Sequence, residues 1–198
     1  MLLPSLYDLH ADGLLPEALT ITGTARAEHN DADYQKFAEK ALKHFLPDDR
    51  KDAGKIKSFL ARLGYQPHDA SDVEGYKALA EKVGDVSGGL AIFLSAAPSL
   101  FEPVIKGLAS AGLAGETVQI GLEKPLGYDL ASSREINATV ATAFSEDRTF
   151  RTDHYLGKET VQNFMPLRFG NRSSSRSGTR KASTTSRSRS PKRGLRVL

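Results

Sequence analysis

Apolar and polar positions along the chain form two patterns that alternate with each other. In the first, apolar residues recur every three or four positions, which is typical of a helix with one buried face. This pattern predicts helices at 2–11, 31–45, 56–63, 73–83, 99–109, 130–144 and 158–168. The second pattern is a short apolar run, and it predicts strands at 19–23, 90–94 and 117–122.

The run 90–94 shows the strand pattern most clearly, because all five of its residues are apolar. Such a run is expected of a strand that is buried on both faces. Strands that alternate with helices predict a parallel sheet with helices on both faces, which is the α/β fold class. Ligands of these sheets bind beyond the carboxyl ends of the strands. We therefore expect a site made of 23–26, 95–98 and 123–125, which follow the predicted strands.

Three details of the predicted helices concern burial and capping. The helix at 31–45 has six apolar residues on one face, and we expect that face to be buried. These residues are Tyr34, Phe37, Ala38, Ala41, Leu42 and Phe45. Asp72 and Ser99 stand where a side chain caps the start of a helix, at 73–83 and 99–109 respectively.

Composition limits the kind of protein. With 198 residues, 39% of them apolar, the chain is long enough for one domain with a core. It has no cysteine, which excludes disulfides and thiolate metal sites, and its histidines lack metal-ligand spacing. No apolar run approaches the roughly 18 residues of a membrane span, and the start does not resemble a signal peptide. We expect a soluble cytoplasmic protein with no metal and no membrane partner.

The net charge of +3 conceals two regions of opposite character. Of the 27 basic residues, nine lie in 172–198, which has no acidic residue; the remaining 18 face 24 acidic ones and give a net charge of −6. The basic segment is rich in Ser, Arg and Thr, and we expect a disordered tail. Such a tail can bind nucleic acid non-specifically, which we consider the weaker of its two interpretations.

The segment 153–160 reads Asp-His-Tyr-Leu-Gly-Lys-Glu-Thr and has several polar groups around one glycine. His154, Tyr155 and Lys158 supply the cation and hydrogen-bond donors that phosphate recognition needs, and Gly157 permits a tight turn. Spacing alone favours a simpler interpretation, in which a polar helix start forms a surface salt bridge.

Lys124 and Arg26 each follow a predicted strand. Lys124 belongs to Glu123-Lys124-Pro125, where a cis bond before Pro125 would fix the turn. Arg26 stands where an arginine can pair with the 2′-phosphate of NADP. Taken alone, the spacing favours simpler interpretations, in which Lys124 is an ordinary strand-end lysine and Arg26 is a solvated arginine.

Residues 123–133 and 153–160 resemble corresponding segments of the glucose-6-phosphate dehydrogenase family, and the resemblance extends over 2–171. It implies a Rossmann-like NADP-binding domain at 1–171. It also implies oxidation of glucose 6-phosphate to 6-phosphoglucono-lactone with NADP as hydride acceptor, in the pentose phosphate pathway. The family's intact enzymes are homo-oligomers, which we consider doubtful for this chain.

The resemblance assigns roles to individual residues. His154, Tyr155 and Lys158 hold the substrate phosphate, Lys124 contacts substrate and cofactor, and Asp153 orients a general-base histidine. The cofactor side consists of Arg26, Ser95, Ala97 and Lys124. Thr152 and Ala27 depart from the family pattern, which normally has an apolar residue and a hydroxyl residue at these positions.

The resemblance also places three parts of the family outside the matching segment. The first strand with its Gly-rich turn would precede Met1, and the general-base histidine and the second domain would follow Asn171. We therefore expect a sheet lacking its first strand, with a gap in the core, and a chain that is unstable or aggregates and is inactive. A one-base frameshift near Asn171 would explain the tail at 172–198. The alternative function is a non-catalytic remnant that binds NADP, sugar phosphate or, through its tail, nucleic acid.

Overall fold

The computed structural model describes residues 2–153 and the backbone of residues 196–197. The helices are α1 (Leu2–Ala11), α2 (Asp31–Phe45), α3 (Ala53–Leu60), α4 (Tyr76–Val83), α5 (Phe101–Ser110) and α6 (Leu130–Ala141). The strands are β1 (Ile21–Ala25), β2 (Leu63–Pro67), β3 (Leu90–Leu94), β4 (Val118–Glu123), β5 (Thr149–Thr152) and β6 (Arg196–Val197). In this part of the chain, no helix has the length and apolar character that a membrane crossing requires.

The described strands form one sheet in the order β2-β1-β6-β3-β4-β5, and every neighbouring pair is parallel. The α/β class and the parallel sheet are therefore confirmed. Because the strands are parallel, the carboxyl ends of β1, β3 and β4 lie at the same edge of the sheet. That edge is where the sequence predicts the site.

Two separate clusters of buried side chains form the core. The first lies around β1 and β2 and consists of Tyr7, Ile21, Ala38, Leu42, Leu46, Ile56, Phe59 and Leu63. The second lies around β3 and β4 and extends from Tyr76 to Phe144, with Leu90, Val118, Ile120 and Leu122 among its fully buried members. Each cluster packs one half of the sheet against its own helices.

The apolar face of α2 is narrower than the sequence predicts. The helix itself has the predicted bounds, and Asn30 caps it by accepting the Asp33 N–H at 2.9 Å. Ala38 and Leu42 are fully buried, but Phe37 and Phe45 are 60% and 49% exposed. The helix packs against α1, α3 and β2, and these neighbours cover only the central stripe of its apolar face.

Several predicted boundaries are wrong. The helix predicted at 56–63 lies at 53–60, because Leu63 begins β2, a strand that the sequence analysis missed. β5 was missed as well. The helix predicted from 73 begins at Tyr76 after Gly75, and Asp72 does not cap it; its carboxylate instead accepts the Glu74 N–H at 3.1 Å.

Ser99 does not cap α5 either. It lies inside a 3-10 turn, Pro98–Leu100, and α5 follows with Leu100 at its N-cap position. Two further strands and one further helix begin or end a few residues from their predicted bounds. β1 begins at Ile21 rather than at 19, β4 runs from Val118 to Glu123, and α6 ends at Ala141.

The tail forms a strand at two of its residues. Arg196–Val197 pair with β1 on one side and with β3 on the other. They lie where the sequence analysis expects a gap in the sheet. The expectation of a disordered tail concerns 172–198 as a whole and stays a prediction. The predicted helix at 158–168 and the remainder of the tail lie outside the described residues.

Candidate functional site at the carboxyl edge of the sheet

Lys124 and Asp153 meet at the carboxyl ends of β4 and β5. The two strands pair in parallel with Glu123 opposite Thr152, so the next residue of each strand reaches the same point. The Lys124 Nζ lies 2.5 Å from Oδ2 of Asp153. The lysine side chain is 60% exposed and the aspartate side chain is 21% exposed. The pair therefore combines a largely buried carboxylate with an accessible ammonium. Such a group can attract an anionic ligand at this edge.

The loop after β3 lies beside this ion pair. Ser95 is exposed, and its Oγ donates a hydrogen bond to Oε2 of Glu123 at 2.7 Å. This bond ties the end of β3 to the end of β4, directly before Lys124. Ala97, also exposed, precedes the 3-10 turn Pro98–Leu100. The structure therefore places Ser95, Ala97 and Lys124 on neighbouring loops at one edge.

The segment after Lys124 has a fixed backbone. The Lys124–Pro125 peptide is cis, as the sequence analysis expects. Gly127 has a φ of 108°, and a Cβ there would lie 2.6 Å from the backbone N of Ser133, so only glycine fits. Asp129 and Ser132 form a capping box that starts α6. The hydrogen bonds to Asp129 hold the pKa of its carboxyl below its usual value.

Arg26 occupies a second position on the same edge, after β1. A buried tyrosine from β2 fixes this loop, because the Tyr65 hydroxyl contacts the carbonyl oxygens of Ala25 and Ala27, at 3.1 and 2.8 Å. Burial raises the pKa of this phenol, which therefore stays protonated and able to donate. The Arg26 side chain is exposed, and within residues 2–153 no salt bridge holds it.

A cavity of about 310 Å³ adjoins Arg26. Its lining comprises Arg26, Glu28, Pro67, His68, Asp69, Asp72, Gly75 and Ala78. Hydrogen bonds from Ser71 lower the pKa of the Asp69 carboxyl, and the Arg26 charge adds a smaller effect in the same direction. The cavity thus presents one exposed guanidinium opposite a carboxylate loop.

His68 is the most constrained polar side chain of this cavity. Its Nε2 atom is buried and has no hydrogen-bond partner among the described residues. The ring packs edge-on against Tyr76, with centroids 4.2 Å apart, and a Cβ at Gly75 would lie 2.6 Å from its Nδ1. Burial lowers the pKa of this imidazole, so the neutral form is favoured.

Gly23 gives the Arg26 loop its close contact with α2. A Cβ at this position would lie 2.6 Å from the ring of Tyr34, whose centroid is 5.1 Å from that of Tyr65. The strand can approach the two tyrosines only because this residue has no side chain.

The structure brings together some of the predicted site residues and not others. Lys124, Asp153, Ser95 and Ala97 lie on adjoining loops, whereas Arg26 lies two strand positions from β3, across β6. The predicted phosphate-binding residues His154, Tyr155 and Lys158 lie outside the described residues. Within the described part, no group of three His, Asp or Glu side chains could hold a metal ion.

Sequence reasoning missed Tyr65 and His68. Both belong to β2 or its end, and β2 was hidden because Leu63-Gly64-Tyr65-Gln66-Pro67 contains a glycine and a proline. The signal that could have found them is the alternation of Leu63 and Tyr65, which are both buried.

The domain has a parallel sheet with helices on its faces, a cation at two separate strand ends and a loop cavity beside one of these cations. These features are those of a dinucleotide-binding α/β domain. Residues 1–163 match the family model described as glucose-6-phosphate dehydrogenase, NAD binding domain. The chain belongs to the glucose-6-phosphate dehydrogenase family, and this part of it is the family's nicotinamide-cofactor domain.

Individual relatives agree with the family model. Glucose-6-phosphate 1-dehydrogenase of Zymomonas mobilis subsp. mobilis is 53% identical over 171 residues, which cover 86% of this chain and 35% of the relative. The same enzyme of Mycolicibacterium smegmatis is 38% identical over 175 residues, with the same two coverages. The chain therefore spans about a third of the length of these relatives.

Two solved structures share the fold. A crystal structure of glucose-6-phosphate 1-dehydrogenase from Mycobacterium avium has a TM-score of 0.73 at 34% identity, over 89% of this chain and 37% of that one. A glucose-6-phosphate dehydrogenase in complex with its substrate glucose-6-phosphate has a TM-score of 0.72 at 36% identity, over 85% and 36%.

Proposed function

We propose that this domain supplies the NADP site and one wall of the substrate site for the oxidation of glucose 6-phosphate to 6-phosphoglucono-lactone. The observation that carries the proposal is the ion pair of Lys124 and Asp153, beside the Ser95–Glu123 hydrogen bond. An accessible ammonium thus lies beside the loop that the resemblance assigns to the cofactor. The relatives that share this region are glucose-6-phosphate 1-dehydrogenases.

The spacing of the two cationic positions supports a dinucleotide ligand. Arg26 follows β1 and Lys124 follows β4, and these strands are three positions apart in the sheet. With about 4.8 Å between neighbouring strands, the lateral separation is about 14 Å. A dinucleotide lying along the edge can therefore place its 2′-phosphate at Arg26 and its nicotinamide near Ser95 and Lys124.

NADP is the proposed form of the cofactor because of the Arg26 loop. The exposed guanidinium can form two parallel hydrogen bonds to a phosphate. The Tyr65 hydroxyl contacts Ala25 and Ala27 on either side, so little loop entropy is lost when a phosphate binds. Among the described residues that line this cavity, Arg26 is the one lysine or arginine, so a phosphate would bind at Arg26.

The chemical step needs a hydride acceptor, a base and electrostatic positioning. When bound, NADP would supply the hydride acceptor, and the proton of the C1 hydroxyl would go to a general base, which the family resemblance places after Asn171. In this scheme Lys124 attracts the sugar phosphate and orients the substrate, and the Asp153 carboxylate holds the ammonium in place.

The cofactor half of the proposal can be tested with 2′,5′-ADP as the probe. Titration calorimetry on the full chain should show binding that Arg26→Ala weakens about tenfold to a hundredfold, because a charge-assisted contact is lost. Binding of 5′-AMP should not change. Lys124→Ala is the matched control and should leave 2′,5′-ADP affinity unaltered. Equal loss of both nucleotides in Arg26→Ala would contradict a 2′-phosphate contact.

The substrate half can be tested with glucose 6-phosphate in the same variants. Lys124→Ala should weaken binding about tenfold while Arg26→Ala should not, since the two cations lie at different strand ends. Glucose without its phosphate tests the charge requirement. If Lys124→Ala binds glucose 6-phosphate as tightly as the parent chain, the proposed role of Lys124 is wrong.

The remaining expectations belong to the same proposal. His154, Tyr155 and Lys158 as phosphate-binding residues, a cytoplasmic location and the doubtful homo-oligomer remain predictions. No observation on the described residues favours nucleic-acid binding over the dehydrogenase assignment.

A further inference from the structure

Within the described residues, β2 is the last strand at one end of the sheet, and its partner there is β1. Two backbone contacts show which of its residues face that partner. The Ile21 N–H donates to the carbonyl of Arg62 at 2.9 Å, and the His68 N–H donates to the carbonyl of Ala25 at 2.9 Å. The even-numbered residues of β2 therefore face β1. Because neighbouring residues of a strand face opposite sides, the backbone groups of its odd-numbered residues face outward.

The outward backbone groups of β2 are bound by side chains of α2. A free row of such groups can pair with a strand of another chain, which is the usual route of edge-to-edge association. Here the N–H of Tyr65 donates to Oδ1 of Asp31 at 2.7 Å. The carbonyl of Leu63 accepts from Nε2 of Gln35 at 2.9 Å. Since Asp31 and Gln35 are four residues apart on α2, one face of this helix supplies both contacts.

The third outward residue of β2 is Pro67. It has no N–H to offer a strand, and proline within sheets is confined to edges, strand starts and bulges. Its carbonyl accepts a hydrogen bond from Nε2 of Gln66 at 3.3 Å. At each of the three outward positions, at least one backbone group is therefore missing or bound by a side chain.

Lys82 of α4 closes over the same edge from the other face. The connections from β1 to β2 and from β2 to β3 run in opposite directions across the sheet, so right-handed crossovers place α2 and α4 on opposite faces. The Lys82 Nζ nevertheless lies 2.9 and 2.7 Å from the two carboxylate oxygens of Asp31. A Cβ at Gly64 would lie 3.4 Å from Cε of Lys82 and 3.6 Å from Oδ1 of Asp31. The ion pair thus passes beside the backbone of β2, and a lysine at a sheet edge disfavours strand addition.

We infer that Asp31, Gln35 and Lys82 form an autoinhibitory clasp, which closes β2 to strand addition by a second copy of this chain. The excluded partner is β2 of that copy, since a two-fold pair of identical edges places the same strand opposite itself. Pairing would have to break a charge-assisted hydrogen bond at Tyr65 and displace Lys82, and such bonds are stronger than those between neutral groups. The inference concerns self-association and does not depend on the proposed function.

The parent chain gives the first test, through hydrogen exchange of the Tyr65 amide. If the clasp protects this amide, its exchange should be slow although β2 lies at the end of the described sheet. The exchange rate should also be the same when the protein concentration is raised, because the protecting group belongs to the same molecule. Protection that increases with concentration would show that a second copy already pairs with β2, and the proposal would be overturned.

A double variant tests the block itself. Asp31→Ala/Gln35→Ala frees the outward groups of Tyr65 and Leu63, so exchange at Tyr65 should accelerate about tenfold to a hundredfold in dilute solution. In concentrated solution, sedimentation velocity should show self-association at least about tenfold tighter than in the parent chain, with protection of Tyr65 restored. Asp33→Ala is the matched control, because it removes the same charge from the same helical turn. Equal association in this control would contradict the clasp.

Two further variants decide the remaining outcomes. Asp31→Asn keeps an oxygen that can accept the Tyr65 N–H and should sediment like the parent chain; association equal to that of the double variant would assign the effect to lost charge and overturn the clasp. A double variant with the parent's circular dichroism spectrum and no tighter association would also overturn it. If the double variant does not fold, Gln35→Leu, which frees the Leu63 carbonyl alone, should associate more tightly than the parent chain. Unchanged association in Gln35→Leu would then refute the proposal.

Discussion

The two halves of the sheet hold their site residues by different means. In the second half, Lys124 is fixed by side chains on neighbouring parallel strands, through Asp153 and the Ser95–Glu123 bond. In the first half, Arg26 is exposed and its loop is fixed through backbone carbonyls, which contact one buried tyrosine. The difference indicates that the second half positions a charge, whereas the first half positions a backbone and leaves its charge free to meet a ligand.

The halves also differ in the size of their cores. The second cluster has fifteen buried residues around β3 and β4, and the first has eight around β1 and β2. Apart from β6, α4 links them through the salt bridge of Lys82 with Asp31 at 2.7 Å. We therefore expect the first half to open more readily than the second. Three sets of variants test this comparison.

The largest effect should come from two matched core substitutions. Phe59 in the first cluster and Phe101 in the second are 0% and 1% exposed. Phe59→Ala and Phe101→Ala should each cost about 3–5 kcal/mol of unfolding free energy. Native-state hydrogen exchange should show Phe59→Ala exposing β1 and β2 first, while β3 and β4 stay protected. Simultaneous loss of protection in all four strands would show that the halves open as one unit.

A smaller effect is expected where a glycine contacts a tyrosine ring. A Cβ at Gly107 in α5 would overlap the ring of Tyr76, which is 2% exposed and enclosed by the second cluster. Gly107→Ala should therefore cost about 1–3 kcal/mol, measured by urea denaturation. Gly23→Ala should cost less, because Tyr34 is only half-buried and can move. Gly115→Ala, with no atom within 4 Å of its Cβ, is the control. A Gly23 variant less stable than the Gly107 variant would reverse the ranking.

The smallest effect concerns the ion pair between the halves. Two hydrogen bonds lower the pKa of the Asp31 carboxyl. The one from Lys82 has the larger effect, and the one from the Tyr65 N–H has the smaller. A carboxyl whose pKa is lower in the folded chain stabilises the fold at any pH above its pKa in the unfolded chain, which is about 3.9. This stabilisation is lost as the pH falls through the pKa of the folded chain. The Asp31 side chain is 46% exposed, so Lys82→Met should cost less than about 1 kcal/mol at pH 7.

The pH dependence gives the check on this ion pair. The stability difference between Lys82→Met and the parent chain should disappear in acid, below the folded pKa of Asp31. Lys51→Met is the matched control, since its 2.7 Å pair with Asp48 lies within the first half. A difference that persists unchanged into acid would mean that Lys82 acts through packing of its aliphatic stem rather than through its charge.

The parts of the fold that sequence predicted well are those in which local pattern and tertiary packing agree. The run 90–94 is apolar throughout and forms β3 with those bounds, and α2 likewise has its predicted bounds. β2 was missed because Gly64 and Pro67 are unfavourable in an isolated strand; here the strand is stabilised by pairing with β1 along its whole length. Phe37 and Phe45 were wrongly placed in the core, since periodicity does not show how much of a face the neighbours cover.

The site shows the same division. The positions of Lys124, Ser95 and Arg26 at the carboxyl edge could be predicted because these residues follow recognisable strands, whereas their roles in binding stay predictions. Tyr65 and His68 could not be predicted, since their roles depend on contacts with Ala25, Ala27 and Tyr76 that only the folded chain creates.

The parallel pairing of β6 has a consequence for protein engineering. A parallel sheet specifies the direction of each strand but not the terminus from which it is supplied, and here residues from the end of the chain occupy a central position. Spatial order and chain order are thus separable in this domain. A circular permutant that places Arg196–Val197 in front of α1 through a designed connector should retain the same neighbours in the sheet.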